Sequence, residues 1–332
     1  MGYEPLVTVI TPFYNTDNYL KECIESVLTQ SYHNWEYILV NNLSTDKSFE
    51  IANSYAEKDT RIRVVTNDSF VNQVQNYNGA LRLISPQSKY CKIVQADDWI
   101  FPECLSEMIA VAEANPSVGI VGAYRLDDKK INCDGLAYPS TVVAGKEICR
   151  KSLLNGLFVF GSATSILYRS DIVKSRIPFF NESSRHEDTE ACYEILQSYD
   201  FGFVHKVLTF TRRENESLST KVRQFDPYYL LDRYISILKY GRRYLSEAEF
   251  DDCIKKCEDD YYRFLGERIW SGNRKQLLNY HQEGLANIEY KLCKSRIYKF
   301  AGIKLINFIL DIKRPIHFII KSLFLKNKRE IN

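Results

Sequence analysis

Asp97 and Asp98 stand side by side after an apolar run, 90–95 (YCKIVQ), that reads as a buried strand. Adjacent carboxylates in such a place repel one another and lose hydration, and a divalent cation relieves both penalties. Mg²⁺ takes one or two protein carboxylates and leaves the rest of its shell to water and substrate phosphates. Alone, the pair reads at least as easily as the turn before a helix that Pro102 opens. Three other polar clusters have the same double character. Asn41-Asn42-Leu43-Ser44-Thr45-Asp46 offers amides and hydroxyls that can read a base edge or a ribose, while Thr45 or Asp46 can cap the next helix. Arg185-His186-Glu187-Asp188-Thr189-Glu190 crowds titratable groups into a short stretch. A carboxylate there can take a proton from an attacking hydroxyl, or merely favour a helix N-terminus. Arg212-Arg213 suits a diphosphate leaving group, or a solvated strand end.

Missing motifs narrow the chemistry. No G-x-G-x-x-G follows the first strand and no G-x-x-x-x-G-K-[ST] occurs, so the backbone phosphate cradles of dinucleotide and P-loop proteins are lacking. Any bound phosphates fall to a metal and to arginines. No G-x-S-x-G elbow is present, which argues against an α/β-hydrolase.

These clusters need a frame. Strand-like runs at 6–11 (LVTVIT), 35–41 (WEYILVN), 63–66, 90–95 and 118–123 alternate with helix-like runs at 18–30, 46–56, 72–83 and 102–115. Such alternation with short links predicts an α/β fold with a parallel sheet covered by helices on both faces. Ligands of such sheets bind beyond the carboxyl ends of the strands, which is where 11–16, 41–46 and 97–98 fall. Residues 124–225 are less regular, with a strand-like pair of runs at 158–168, a helix at 187–197 and a strand at 203–210. From 226 onward long helical segments rich in Tyr, Lys and Glu take over, and some of Gly241, Gly266, Gly272, Gly284 and Gly302 are expected at helix ends. The expected division is 1–225 (a first half to about 123 and a second from 124), a helical appendage at 226–297 and a tail at 298–332.

Composition is that of an ordinary globular protein. The chain has 332 residues, 45% of them hydrophobic, and a net charge of +2, which gives no reason to expect a nucleic-acid partner. Its nine cysteines are odd in number and scattered, which predicts free thiols in a reducing, cytoplasmic setting. Only Cys253 and Cys257 are close, at helical spacing, and helix packing is favoured over half a metal site. The N-terminus lacks the basic and apolar regions of a signal peptide, and no uncharged run is long enough to span a bilayer.

The pattern resembles family 2 of the inverting glycosyltransferases, which have the GT-A fold. The matching pieces are VTVITPFYN (7–15), YLKECIESVLTQSYHNWEYILVNNLSTDKS (19–48), QNYNGAL (75–81), VQADDWIFPECL (94–105) and HEDTEACYEIL (186–196), in the family's order over roughly 5–215. The resemblance implies a nucleotide-sugar donor, UDP- or dTDP-linked, a divalent metal (Mg²⁺ or Mn²⁺), and transfer to an acceptor hydroxyl with inversion. It would have Pro12 and Tyr14 line the nucleobase, Asn42 contact it, Asp97 touch ribose or metal, Asp98 serve as principal metal ligand, and Asp188 act as general base. Arg212 and Arg213 resemble the late basic motif near the diphosphate. Two departures stand out: Asn41-Asn42 where the family commonly has two aspartates, and Gln95 where many members have an acid. A nucleotidyltransferase-like enzyme on the same sheet, or a silent membrane-assembly scaffold, stays open as an alternative.

Between 298 and 329 lie eight basic residues (Lys299, Lys304, Lys313, Arg314, Lys321, Lys326, Lys328, Arg329) against one acid, Asp311, interleaved with large apolar residues on both sides of Pro315. Pro315 is expected to break or kink a helix. Basic charge with apolar bulk suits a helix lying in the plane of a membrane, and packing on protein is the other reading. The membrane reading places the enzyme on the inner face of a membrane, with a glycan or lipid-linked acceptor in surface polysaccharide or glycolipid synthesis.

Overall fold

The computed structural model describes residues 4–184, 186–213, 225–227 and 229–327, with side chains through Leu310. Arg185, and the side chains expected of the tail from Asp311 onward, lie outside the described residues. The chain forms two compact units: Met1–Lys221 with Tyr240–Glu249, and Val222–Lys239 with Phe250–Asn332.

The first unit is built on a ten-stranded sheet of order β3-β2-β1-β4-β9-β6-β10-β5, with β7 paired to β6 and β8 to β10. Its first half follows the expected alternation: β1 (Val7–Phe13), α1 (Leu20–Leu28), β2 (Trp35–Asn41), α2 (Ser48–Ala56), β3 (Ile62–Thr66), α3 (Gln73–Leu81) and β4 (Tyr90–Ile93). β1 is buried at every position, as a β-branched central strand covered on both faces should be. α1 turns Leu20, Cys23, Ile24 and Val27 inward, the stripe that its spacing predicts. β1 reaches two residues further than expected, so Pro12 is a strand residue, in register with Val40.

The second half departs from a simple parallel sheet. β5 (Trp99–Ile100), α4 (Cys104–Ala114), β6 (Val118–Asp127), β7 (Lys130–Asn132), β8 (Val142–Val143) and α5 (Gly145–Asn155) precede a short 3₁₀ turn, Ala163–Ser165. β9 (Leu167–Arg169), α6 (Ser170–Lys174), α7 (Glu187–Ile195) and β10 (Asp200–Thr211) complete the unit. β9 runs antiparallel between β4 and β6, so the sheet is mostly, not wholly, parallel. The expected pair of strands at 158–168 is that turn followed by a three-residue strand, too short to carry a period-2 signal. Two antiparallel pairings restore direction, so β6 is parallel to β4, and β10 is parallel to β6. The carboxyl ends of β1, β2, β3, β4, β6 and β10 therefore share one edge of the sheet.

The second unit is helical. Its helices are drawn from Leu230–Tyr244, Glu247–Arg268, Arg274–Ala286 and Lys294–Asn327. Tyr234 stacks on Tyr261 with centroids 5.0 Å apart and donates to Glu258 at 2.9 Å. Cys253 and Cys257 are buried on one helix face, the packing reading, and none of the nine cysteines is in a disulfide. Gly241, Gly266, Gly284 and Gly302 lie inside helices, and only Gly272 of the five falls between them. At Gly266 the reason is steric: a Cβ would meet Ala301 N at 2.8 Å and Ile297 O at 2.9 Å, so the helix from Lys294 packs backbone to backbone there. Pro315 does not break that helix; a proline removes one hydrogen bond, and the long runs on either side carry the helix through.

Candidate functional site

At the end of β4 the chain turns through Gln95, Ala96, Asp97 and Asp98 into β5. Asp98 is 2% exposed. Its Oδ2 accepts from the Thr164 hydroxyl at 2.7 Å and the Thr211 hydroxyl at 3.2 Å, and its Oδ1 accepts from the Arg212 main-chain N–H at 3.1 Å. Three elements thus meet on one carboxylate: the turn after β4, the 3₁₀ turn and the end of β10. Burial, with the charge of Asp97 alongside, pushes the Asp98 carboxyl up to about 7, against the pull of its hydrogen bonds. Asp97 is only half-buried.

The 3₁₀ turn is held from below by Lys92 of β4, a fully buried lysine whose Nζ donates to Thr164 O at 2.5 Å and Ile166 O at 3.3 Å. Gln95 N donates to the Thr164 hydroxyl at 3.0 Å, so Thr164 is fixed on its main-chain and side-chain sides.

Arg212 and Arg213 follow β10 but do not act as a pair. Arg212 turns to the aspartates: its Nε donates to Asp97 O at 3.3 Å, its Nη2 to Glu22 at 2.6 Å, and its guanidinium lies over Tyr19 at 4.7 Å. Arg213 turns away, donating from Nη2 to Asp127 Oδ2 at 2.9 Å. Asp127 also pairs with the buried Arg125 at 2.6 Å, so two guanidiniums share one carboxylate at the end of β6. Alternation of side chains past the strand end separates the two arginines.

At the ends of β1 and β2, Tyr14 is 43% exposed and meets Phe70 edge to face, centroids 4.9 Å apart. Pro12, two residues earlier and within the strand, is buried. Asn42 is buried too: its Nδ2 donates to Val71 O at 2.8 Å, and its Oδ1 accepts from Val71 N at 3.1 Å and Asn67 Nδ2 at 2.9 Å. The amide expected to touch a base clamps the loop after β3, because the side chain of a residue just past a central strand is covered by its neighbour's loop.

Asp188 lies in the first turn of α7, its Oδ1 accepting from Thr189 N at 2.6 Å. Asn78 of α3 brackets Phe180 through both main-chain atoms, at 2.8 and 2.9 Å, and so fixes the approach to α7. Further along α7, Tyr193 stacks on Tyr240 at 5.0 Å and shares a hydrogen bond with Ser152 at 2.9 Å. Glu187, beside Asp188, is pushed up to about 7 by burial and by that neighbour's charge. The Tyr77 phenol, which accepts from Gln95 Nε2 at 3.0 Å, is raised by burial first and also by the charges of Glu187 and Asp97. The charges of Glu187 in α7 and of Asp97 in the turn after β4 thus both bear on the Tyr77 phenol.

Sequence reasoning missed Thr164, Thr211, Glu22, Tyr77 and Phe70, since each matters only through contacts made across long stretches of chain. For a divalent cation, no group of three or more His, Cys, Asp or Glu side chains gathers among the described residues. A buried carboxylate made costly by its neighbour fits a cation that takes one or two carboxylates and leaves its other positions to phosphate and water.

A family model described as "Glycosyl transferase family 2" matches residues 8–176, just over half of the chain. The glycosyltransferase GlyG of Streptococcus pneumoniae is 29% identical over 227 residues, covering 64% of this chain and 72% of its own length. Among solved structures, S. aureus TarS in complex with UDP-GlcNAc superposes with a TM-score of 0.61 at 16% identity, over 89% of this chain and 83% of that one. The mannosyltransferase PcManGT of Pyrobaculum calidifontis, in complex with GDP-Man and Mn²⁺, gives 0.56 at 16% identity, over 94% and 82%.

Proposed function

This chain belongs to glycosyl transferase family 2 and is a glycosyltransferase of GT-A fold, and we propose that it moves a sugar with inversion from a UDP- or dTDP-linked donor to an acceptor hydroxyl. What carries the reading is the gathering of Asp97, Asp98 and Arg212 at the sheet edge, with Tyr77 beside them under the charges of both Asp97 and Glu187. TarS and PcManGT are solved with nucleotide sugars, which supports a donor of that class.

The roles follow from the contacts. Asp97 and Asp98 together would hold a cation. Asp98, the principal ligand in this reading, is oriented by its hydrogen bonds from Thr164, Thr211 and the Arg212 N–H. The cation, Mg²⁺ or Mn²⁺, would neutralise the diphosphate as it departs. Arg212 adds a guanidinium on the same side. Asp188 accepts the acceptor's hydroxyl proton as that oxygen bonds to the anomeric carbon, and the anomeric C–O bond breaks to release the nucleoside diphosphate.

The acceptor is a glycan or lipid-linked sugar at a membrane surface, as in surface polysaccharide or glycolipid synthesis. No described helix is long and apolar enough to cross a membrane. In the helix from Lys294, however, Ile303, Leu305, Ile306, Phe308, Ile309 and Leu310 are all exposed around Lys304, and the basic residues that follow in sequence complement an anionic leaflet.

The test is Asp188→Asn. A panel of nucleotide sugars with Mn²⁺, screened by thermal shift, identifies the donor, and its hydrolysis gives the rate. The variant should bind the donor within about twofold of wild type and turn it over about 10²–10⁴-fold more slowly. Unchanged turnover would remove Asp188 from the chemistry, and no donor binding at all would overturn the assignment.

A further inference from the structure

We propose that Phe70 is a wall of the nucleobase subsite, set against Tyr14, and that Asn42 acts beneath them as a positioning residue and does not read the base. This rests on the nucleotide-sugar reading above.

Phe70 is 59% exposed and Tyr14 43%, an unusual arrangement for two rings in contact. Their planes meet at 64° with centroids 4.9 Å apart, so the rings form an open corner. A planar base stacked on one ring has its edge bounded by the other, which buries apolar area on two sides and suits the charge distribution of aromatic rings. The corner sits where β1 and β3 end, on the sheet edge that carries Asp97 and Arg212.

Asn42 fixes both walls. Its main-chain N–H donates to Phe13 O at 2.9 Å, one residue from Tyr14. Its side chain brackets both main-chain polar atoms of Val71, one residue from Phe70. Asn67 ties the same loop down, donating from Nδ2 to Asn42 and Asn76 at 2.9 Å each and from its main chain to Asn41 O at 3.0 Å. An aspartate at 42 could not donate to Val71 O, so the amide suits the clamp. Base affinity at this corner then comes mainly from stacking.

The experiment is calorimetric titration of the full chain with UDP, dTDP, GDP and ADP in Mn²⁺, and with inorganic pyrophosphate in Mn²⁺ as a ligand without a base. Phe70→Ala should weaken the nucleotides roughly 5- to 150-fold and leave pyrophosphate unchanged. Phe70→Trp should restore nucleotide binding. Asn42→Asp should weaken all four nucleotides by a similar factor, and a loss confined to UDP and dTDP would mean that Asn42 reads the base. If wild type binds pyrophosphate but no nucleotide, the donor reading and this proposal fall together. If wild type binds nucleotides and Phe70→Ala loses less than twofold, or loses pyrophosphate equally, only the role of Phe70 is overturned.

Discussion

Replacing Thr164 by valine tests whether the aspartate turn is held as the geometry says. The substitution is nearly isosteric and removes only the hydroxyl. Thr164 is fully buried; its hydroxyl donates to Asp98 Oδ2 at 2.7 Å and accepts from Gln95 N at 3.0 Å. Losing a bond to a charged acceptor costs about 1.5–3 kcal/mol, and leaving the Gln95 N–H without its partner costs about 1–3 kcal/mol. Asp98 keeps Thr211 and the Arg212 N–H, so part of the loss is recovered, and a net cost of about 3 kcal/mol is expected. Thr164→Ser keeps the hydroxyl and deletes one methyl, for about 1 kcal/mol. For a unit of this size the difference of about 2 kcal/mol corresponds to a Tm gap of roughly 4–8 °C. Calorimetry of both variants at pH 8 reads it directly, and titration with Mn²⁺ and UDP should show weaker metal-dependent binding for valine alone. A valine variant as stable as the serine variant would refute the reasoning, because the hydroxyl would then carry no energy and Asp98 would be positioned by something else.

Three further outcomes are expected. Glu187 holds its proton up to about pH 7 in the folded chain, against an ordinary value near 4.5. The folded state then binds the extra proton between those values, so stability from this group is complete below about 4.5 and is lost as pH rises to 7, by on the order of 3 kcal/mol at most; in melts with EDTA, Glu187→Gln should flatten the fall in Tm between pH 5 and 8. Arg212→Ala should raise the donor KM and lower kcat by roughly 10-fold or more. Arg213→Ala should leave both within about threefold, since Arg213 pairs with Asp127 on the far side; steady-state donor hydrolysis separates the two, and equal effects would restore the arginine pair. Removing 298–332 should abolish sedimentation with anionic vesicles, which in the full chain should weaken in high salt; equal binding to zwitterionic vesicles would speak against the charge term.

Much of the first half was legible because its signals are local. The β-branched run of β1 and the i, i+3, i+4 stripe of α1 each lie within a dozen residues, and the structure repeats them nearly residue for residue. β9 was not legible: three residues carry no period, and its antiparallel placement is decided by β4 and β6, far away in sequence.

The candidate site divides the same way. Motif spacing brought Asp97, Asp98, Asp188 and Arg212 to attention, but which atoms face a ligand depends on pairings that sequence does not list. Asp98 differs from Asp97 by one position, yet the alternation of side chains after β4 sends it onto Thr164 and Thr211, about 70 and 110 residues further along. The same one-residue step sends Arg213 to Asp127 while Arg212 stays with Asp97. Asn42 carries this furthest. Its amide can read a base or bind a backbone with the same atoms, and only the position of Val71 decides between them. A residue type at a strand end therefore specifies a chemical capacity, and the loop that folds over it specifies the use. That is why Phe70, with no motif of its own, comes to notice only once Asn42 is seen to hold its loop against Tyr14.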